Sequence, residues 1–391
     1  MKTLLKNVRL IANGRVEAGE LLWEDGRILE CGRTGELPMD TVVVDGGGRY
    51  AAPGFIELHA HGAAGFDFMD ASPAEFAAAC RAHLLHGTTT ILPTTLTGKF
   101  SDLYGVADRY RAAKALMPDG PFTPGLHLEG PYLAMAQRGA QDPRYIKNPD
   151  PKEYLPLLDY AGADIARWTA APELPGALEL GDELKRHGIL ASIGHSDAEY
   201  ATVAEAVRHG YTHVTHLYSC TSTIVRRGGF RFPGVLESAF ILDELSVEVI
   251  ADGCHLPPEL LRLVWRAKSL EHVALVSDAL RCAGQDVQES VTGPHGDGQR
   301  IIIEDGVAKL PDRSAFAGSV AMADRLLSVM HVRAGVPLAD CVRMMSETPA
   351  RILGIADKKG RLKAGLDADV VLLNEDLSVY RVYCMGKPVL Q

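Results

Sequence analysis

A chain of 391 residues with 47% hydrophobic and 23% charged residues is longer than one ordinary domain and has a globular composition, which excludes disordered, collagenous and coiled-coil readings and predicts a large domain with a smaller companion. A formal net charge of −10 argues against a nucleic-acid partner. The seven cysteines are odd in number, scattered and without a Cys-x-x-Cys pair, so they read as reduced thiols of a cytoplasmic protein; with no apolar window for a signal peptide or a membrane span, no membrane partner is expected.

In chain order, the first fifty residues read as short strands at 4–11, 21–23, 28–29 and 42–44, with Asp25-Gly26 between apolar runs as a hairpin signal. From about residue 51 to 354, short apolar runs alternate with longer helical stretches such as 73–86 and 201–209, the pattern of βα units around a parallel sheet. Eight candidate strands fall at 54–58, 88–92, 125–128, 166–169, 190–193, 213–215, 247–251 and 273–277. They predict an α/β fold of the (β/α)8 TIM-barrel type, whose site lies where the strands run into their following loops. Residues 370–373 and 379–382 return to the style of the N-terminus. The chain ends, 1–50 and 355–391, are therefore expected to pair into a small β-sandwich domain beside a barrel spanning 51–354.

The chemistry gathers at the strand ends. His59 and His61 stand two apart at the end of the first strand, so their imidazoles can aim at one centre. A His-x-His pair alone is weak evidence, but Glu129, His195, His216 and Asp278 follow the third, fifth, sixth and eighth strands. Six such groups converging on one rim are costly to bury unless a cation joins them. His127, two before Glu129, is expected one layer deeper as a packing residue. His213, three before His216, is expected to face the other way. The remaining histidines, His83, His86, His187, His209, His272, His295 and His331, are read mostly as solvated or capping.

The segments Pro53-Gly54-Phe55-Ile56-Glu57-Leu58-His59-Ala60-His61-Gly62, His127-Leu128-Glu129-Gly130-Pro131, Gly194-His195-Ser196, Thr215-His216-Leu217, Ala251-Asp252-Gly253-Cys254-His255 and Ser277-Asp278-Ala279 resemble the amidohydrolase superfamily and, within it, the N-acetylglucosamine-6-phosphate deacetylase family. The resemblance spans nearly the whole chain. It implies a carbon–nitrogen hydrolase that releases acetate from an N-acetylhexosamine 6-phosphate. Glu129, His195 and His216 would hold one metal, and His59, His61, Glu129 and Asp278 a second. The implied cofactor is a divalent metal, zinc first among the ions such ligands accept, at one or two per subunit, and the presence of the His-x-His pair favours two. Asp278 is the implied proton shuttle and His255 an implied substrate contact.

Three segments depart from the family pattern. Ser219-Cys220-Thr221 stands where Asn-Ala-Met is usual, so Ser219 and Cys220 would meet the substrate through backbone groups. Gln141 stands where a histidine usually follows Gly-Ala. Arg231, in Arg231-Phe232-Pro233-Gly234, matches an arginine that reaches the neighbouring subunit's phosphate site, which implies a homodimer; Arg226 and Arg227 precede it as extra residues. The altered loop leaves open an unphosphorylated or differently acylated amino sugar. An inactive barrel serving as a binding protein is the third reading, disfavoured by the complete ligand set.

Overall fold

The structure, a computed structural model, describes residues 2–35 and 40–389. All eight barrel strands expected from the sequence form, at Phe55–Ala60, Thr88–Pro93, Leu126–Glu129, Ile165–Ala170, Leu190–Ile193, Tyr211–Val214, Ser246–Ile250 and Val273–Val276. Their apolar runs are buried on both faces, as a parallel sheet wrapped by helices requires. The first pairs the second, and the third to eighth pair in sequence order. Bridges Thr94↔His127 and Ala60↔Ala279 close the ring. The sixth strand begins two residues earlier than expected and stops at Val214, because the chain turns inward at His216 with a φ of 28°.

Helix Pro73–Leu85 follows the first strand and is set by local chemistry. Ser72 and Glu75 form a capping box and Pro73 opens the first turn, satisfying donors that a helix start leaves bare.

The chain ends meet in a small β domain. Strands Lys2–Ala12, Arg15–Glu24, Arg27–Gly32, Val42–Asp45 and Tyr50–Pro53 share one sheet with Val370–Leu373, Val379–Cys384 and Lys387–Pro388. Leu5, Leu21, Ile28, Val370 and Leu372 fill its separate core, where Trp23 meets Tyr383 edge-on at 5.1 Å between ring centroids. Because Tyr50–Pro53 pairs with Val370–Leu373, we place the passage into the barrel just after Pro53.

Sequence reasoning misses two insertions. An antiparallel sheet of Glu289–Thr292, Gln299–Glu304, Val307–Lys309 and Phe316–Ser319 follows the eighth strand and returns to it at Ala279↔Ser319. A hairpin of Val225–Arg227 and Phe230–Phe232 leaves the loop after the sixth strand. Both carry the signal that exposes them: Asp305-Gly306 and Gly228-Gly229 all sit at positive φ, as tight hairpin turns demand. Among the described residues, no helix is long and apolar enough to cross a membrane.

Candidate active site

His59 and His61 lie at the end of the first barrel strand with their Nε2 atoms 3.3 Å apart. Glu129 closes the third strand. His195, His216 and Asp278 stand just beyond their strands at φ of 48°, 28° and 51°, a left-handed backbone that costs a non-glycine residue about 1–2 kcal/mol. This turn swings each side chain over the barrel mouth, and the strain falls on residues implied to be functional.

Glu129 is the hub. Its Oε1 lies 3.2 Å from His195 Nε2, 3.0 Å from His216 Nε2 and 3.5 Å from His59 Nε2, while Oε2 lies 3.4 Å from His61 Nε2. Asp278 Oδ1 lies 3.1 Å from His61 Nε2 and 3.4 Å from His59 Nε2. Two groups able to hold an ion result, His59–His61–Glu129 and Glu129–His195–His216. Donors bonded to one tetrahedral ion at about 2.0 Å stand roughly 3.3 Å apart, so these spacings suit a coordination shell.

The far side of each ring decides its chemistry. Nδ1 faces the Thr94 carbonyl at 3.3 Å in His61, the Gln137 carbonyl at 2.9 Å in His195 and the Ser219 carbonyl at 3.1 Å in His216. A carbonyl only accepts, so Nδ1–H must donate and the Nε2 lone pair of the neutral ring points into the cluster. His59 Nδ1 instead meets the Glu248 carboxylate at 2.8 Å.

Charge follows the same geometry. Burial raises the Glu129 and Asp278 carboxyls, yet the neighbouring histidines outweigh it and hold both below the ordinary range. Burial opposes charge on His59 and His61, but the same carboxylates win and raise them to about 10 and about 9. In the absence of a cation, protons hold this anionic cluster together; an arriving ion must displace them.

A cavity of about 200 Å³ opens over the cluster, lined by His61, Glu129, His195, His216 and Asp278 and by the sequence-selected Gln141, Ser219, Cys220 and His255. His255 Nδ1 is taken by Asp252 Oδ2 at 2.8 Å, and its ring lies 5.0 Å from that of Phe316, on the inserted sheet. Cys220 approaches Gly139 so closely that a Cβ there would come within 2.5 Å of its Sγ. Gln141 spends its amide within the protein: Nε2 donates to Glu129 Oε2 at 2.6 Å and Oε1 accepts from the Thr97 N–H at 2.9 Å. Arg231 does not line this cavity. It sits exposed on the hairpin, paired across it with Arg226, and neither makes an ion pair among the described residues, whereas Arg227 pairs with Glu199.

His127 is buried beneath the cluster, its Nε2 2.7 Å from Thr169 Oγ1, as a packing residue should be. His213 does not face away from His216: its Nε2 lies 3.3 Å from Glu248 Oε2, the carboxylate whose other oxygen accepts from the His216 N–H at 3.2 Å, because the turn at His216 breaks strand alternation. Nor is His83 solvated; it is buried with Nε2 3.0 Å from the Gly62 carbonyl, and burial lowers its pKa to about 4. The unfolded chain, with an ordinary value near 6.5, therefore takes up this proton first as pH falls. Its contribution is complete above about 6.5 and shrinks towards 4, by on the order of 3 kcal/mol at about 1.4 kcal/mol per unit. Urea unfolding at pH 7.5 and 5 should show stability falling with acid, less steeply in His83→Gln; identical slopes would remove His83 from the account.

Sequence reasoning also misses Glu57, Arg167 and Glu248, all buried inside the barrel. Their signal is a charge inside an apolar strand, as in Ala166-Arg167-Trp168 and Val247-Glu248-Val249.

A sequence profile of the amidohydrolase family matches residues 50–389. The N-acetylglucosamine-6-phosphate deacetylase of Lysinibacillus sphaericus is 31% identical over 391 residues, covering 99% of this chain and 97% of its own. The chain belongs to the amidohydrolase family, on its N-acetylglucosamine-6-phosphate deacetylase branch. This amidohydrolase is likewise 31% identical to the human enzyme of that name, over 98% of the chain and 95% of the relative. Among solved structures, the N-acetylglucosamine-6-phosphate deacetylase of Pasteurella multocida superposes with a TM-score of 0.92 at 25% identity over all of both chains. A mutant enzyme from Mycobacterium smegmatis, in complex with N-acetyl-D-glucosamine-6-phosphate, superposes at 0.89 with 28% identity over 100% of this chain and 99% of the other. These relatives share the TIM barrel with a small β domain.

Proposed function

We propose that this amidohydrolase hydrolyses the acetamide of N-acetylglucosamine 6-phosphate to glucosamine 6-phosphate and acetate. The observation that carries the reading is the cluster itself: imidazoles turned outward by their Nδ1 partners, sharing Glu129 beside Asp278, in a chain whose full-length relatives bear that activity in their names. Glu129, His195 and His216 would hold one divalent ion, and His59, His61, Glu129 and Asp278 a second. Histidine and carboxylate donors at tetrahedral spacing suit zinc. When bound, such an ion lowers the pKa of water and polarises a carbonyl.

The protein's own groups do the rest. Asp278, kept ionised beside His59 and His61, accepts a proton from the attacking water and returns it to the departing amine, acting first as base and then as acid. Ser219 and Cys220 offer backbone groups at the cavity wall, and His255, oriented by Asp252, offers its free ring nitrogen to the sugar. Seven free thiols fit a cytoplasmic enzyme.

The exposed hairpin supports a homodimer in which Arg231 reaches the phosphate of the neighbouring site. Phe230 at 75% exposure beside its turn and Ile224 at 51% at its base give it exposed apolar surface, and Arg226 and Arg231 make no ion pair among the described residues. A guanidinium–phosphate contact is worth about 1.5–3 kcal/mol, roughly a tenfold to hundredfold change in binding. Arg231→Ala should raise KM for the 6-phosphate ester by that factor and leave the free sugar unaffected. Equal losses on both substrates would mean a general structural role, and a fully active monomer would contradict the contribution across the interface.

A second reading keeps the reaction and drops the phosphate. The Ser219-Cys220-Thr221 segment and the engagement of Gln141 with Glu129 favour it, since both remove side-chain donors from the cavity. Steady-state rates of acetate release from phosphorylated and free N-acetylglucosamine separate the two.

A further inference from the structure

Beneath the cluster lies a charge network that packing does not require. Arg167 and Glu248 face each other across the barrel, both fully buried, the guanidinium meeting both carboxylate oxygens with Nη2 3.0 Å from Oε1. Arg167 is otherwise satisfied, by Ser192 Oγ at 2.9 Å, Thr215 Oγ1 at 2.7 Å and the Leu58 carbonyl at 3.2 Å. Burying two charges costs several kcal/mol each, and an apolar pair of like volume would serve stability as well or better. The pair therefore calls for another role.

Its contacts supply one. Glu248 Oε1 accepts from His59 Nδ1 at 2.8 Å and from the His216 N–H at 3.2 Å. Of the four imidazoles in the cluster, His59 is the one backed by a carboxylate; the other three lean on carbonyls. A carboxylate behind an imidazole fixes its tautomer and strengthens its outward nitrogen as a donor, and such partners typically change metal affinity by 10–100-fold.

We propose that the Arg167–Glu248 pair is a positioning unit that sets the affinity of the cation site built from His59 and His61; it touches the Glu129–His195–His216 site only through the His216 backbone N–H, and the His216 ring stays oriented by the Ser219 carbonyl. This rests on the two-ion reading of the cluster. The test is calorimetric titration of Zn2+ into metal-stripped full-length protein, with melting recorded for every variant. Glu248→Asp keeps the charge facing Arg167 but withdraws the carboxylate from His59, and the pair Arg167→Met with Glu248→Gln removes both charges together, so neither leaves a bare buried ion. Both should weaken one of two binding events by about tenfold to a hundredfold and leave the other unchanged. Two wild-type affinities in either folded variant, or equal loss at both sites, would overturn the proposal while the two-ion reading stands. A wild type that binds one ion at saturation would overturn that reading, and the proposal with it.

Discussion

Asp278→Asn is expected to remove nearly all turnover, a loss of roughly 10²–10⁴-fold in kcat, while substrate still binds. The amide keeps the shape of the carboxylate but cannot take a proton. Asp278 is placed for this work by its backbone: its N–H donates to the His59 carbonyl at 2.9 Å, and its φ of 51° turns the carboxylate over His59 and His61. Held below the ordinary carboxylate range, it is ionised at neutral pH and ready to act as a base. Pre-steady-state acetate release with separate measurement of substrate affinity checks this. Near-normal turnover in the variant would remove Asp278 as the proton carrier.

Glu129→Gln should strip metal from both sites, because one oxygen serves His195, His216 and His59 and the other faces His61. A neutral amide loses the charge that balances the ion and presents a donor where a ligand is needed. His59→Asn should lower only the second site, since His59 does not belong to the Glu129–His195–His216 group. Elemental analysis after dialysis should therefore read close to zero ions for Glu129→Gln and one for His59→Asn, against two for the wild type. A wild type with one ion, unchanged by His59→Asn after saturation with metal, would reject the two-site arrangement.

The barrel was legible because each strand is an apolar run bounded by turn residues and most run on into a helical stretch, a pattern set by local burial. The convergence of His59, His61, Glu129, His195, His216 and Asp278 was legible for a related reason: strand ends of a closed barrel share one rim. Where regular alternation fails, so did the reading. His213 was expected to face away from His216, but its ring lies inside the barrel against Glu248, the carboxylate that also accepts from the His216 backbone N–H, while the left-handed turn sends the His216 ring to Glu129. Gln141 lines the cavity, but the bonds that hold its amide to Glu129 and Thr97 join residues distant in sequence and leave no local signal. Arg167 and Glu248 carry only the faint signal of a charge within a strand, and their partnership spans 81 positions. Long-range polar pairing of this kind leaves no periodicity to read.

The proposed reaction of this cluster is cleavage of an acetamide on a phosphorylated amino sugar. The most direct measurement is acetate release by metal-loaded protein across N-acetylglucosamine 6-phosphate, free N-acetylglucosamine and their galacto counterparts, with and without prior metal removal. Release should depend on metal and be fastest on N-acetylglucosamine 6-phosphate, with kcat/KM at least about tenfold above the free sugar, the size of one guanidinium–phosphate contact. Metal-loaded protein that releases no acetate from any of these sugars would contradict it.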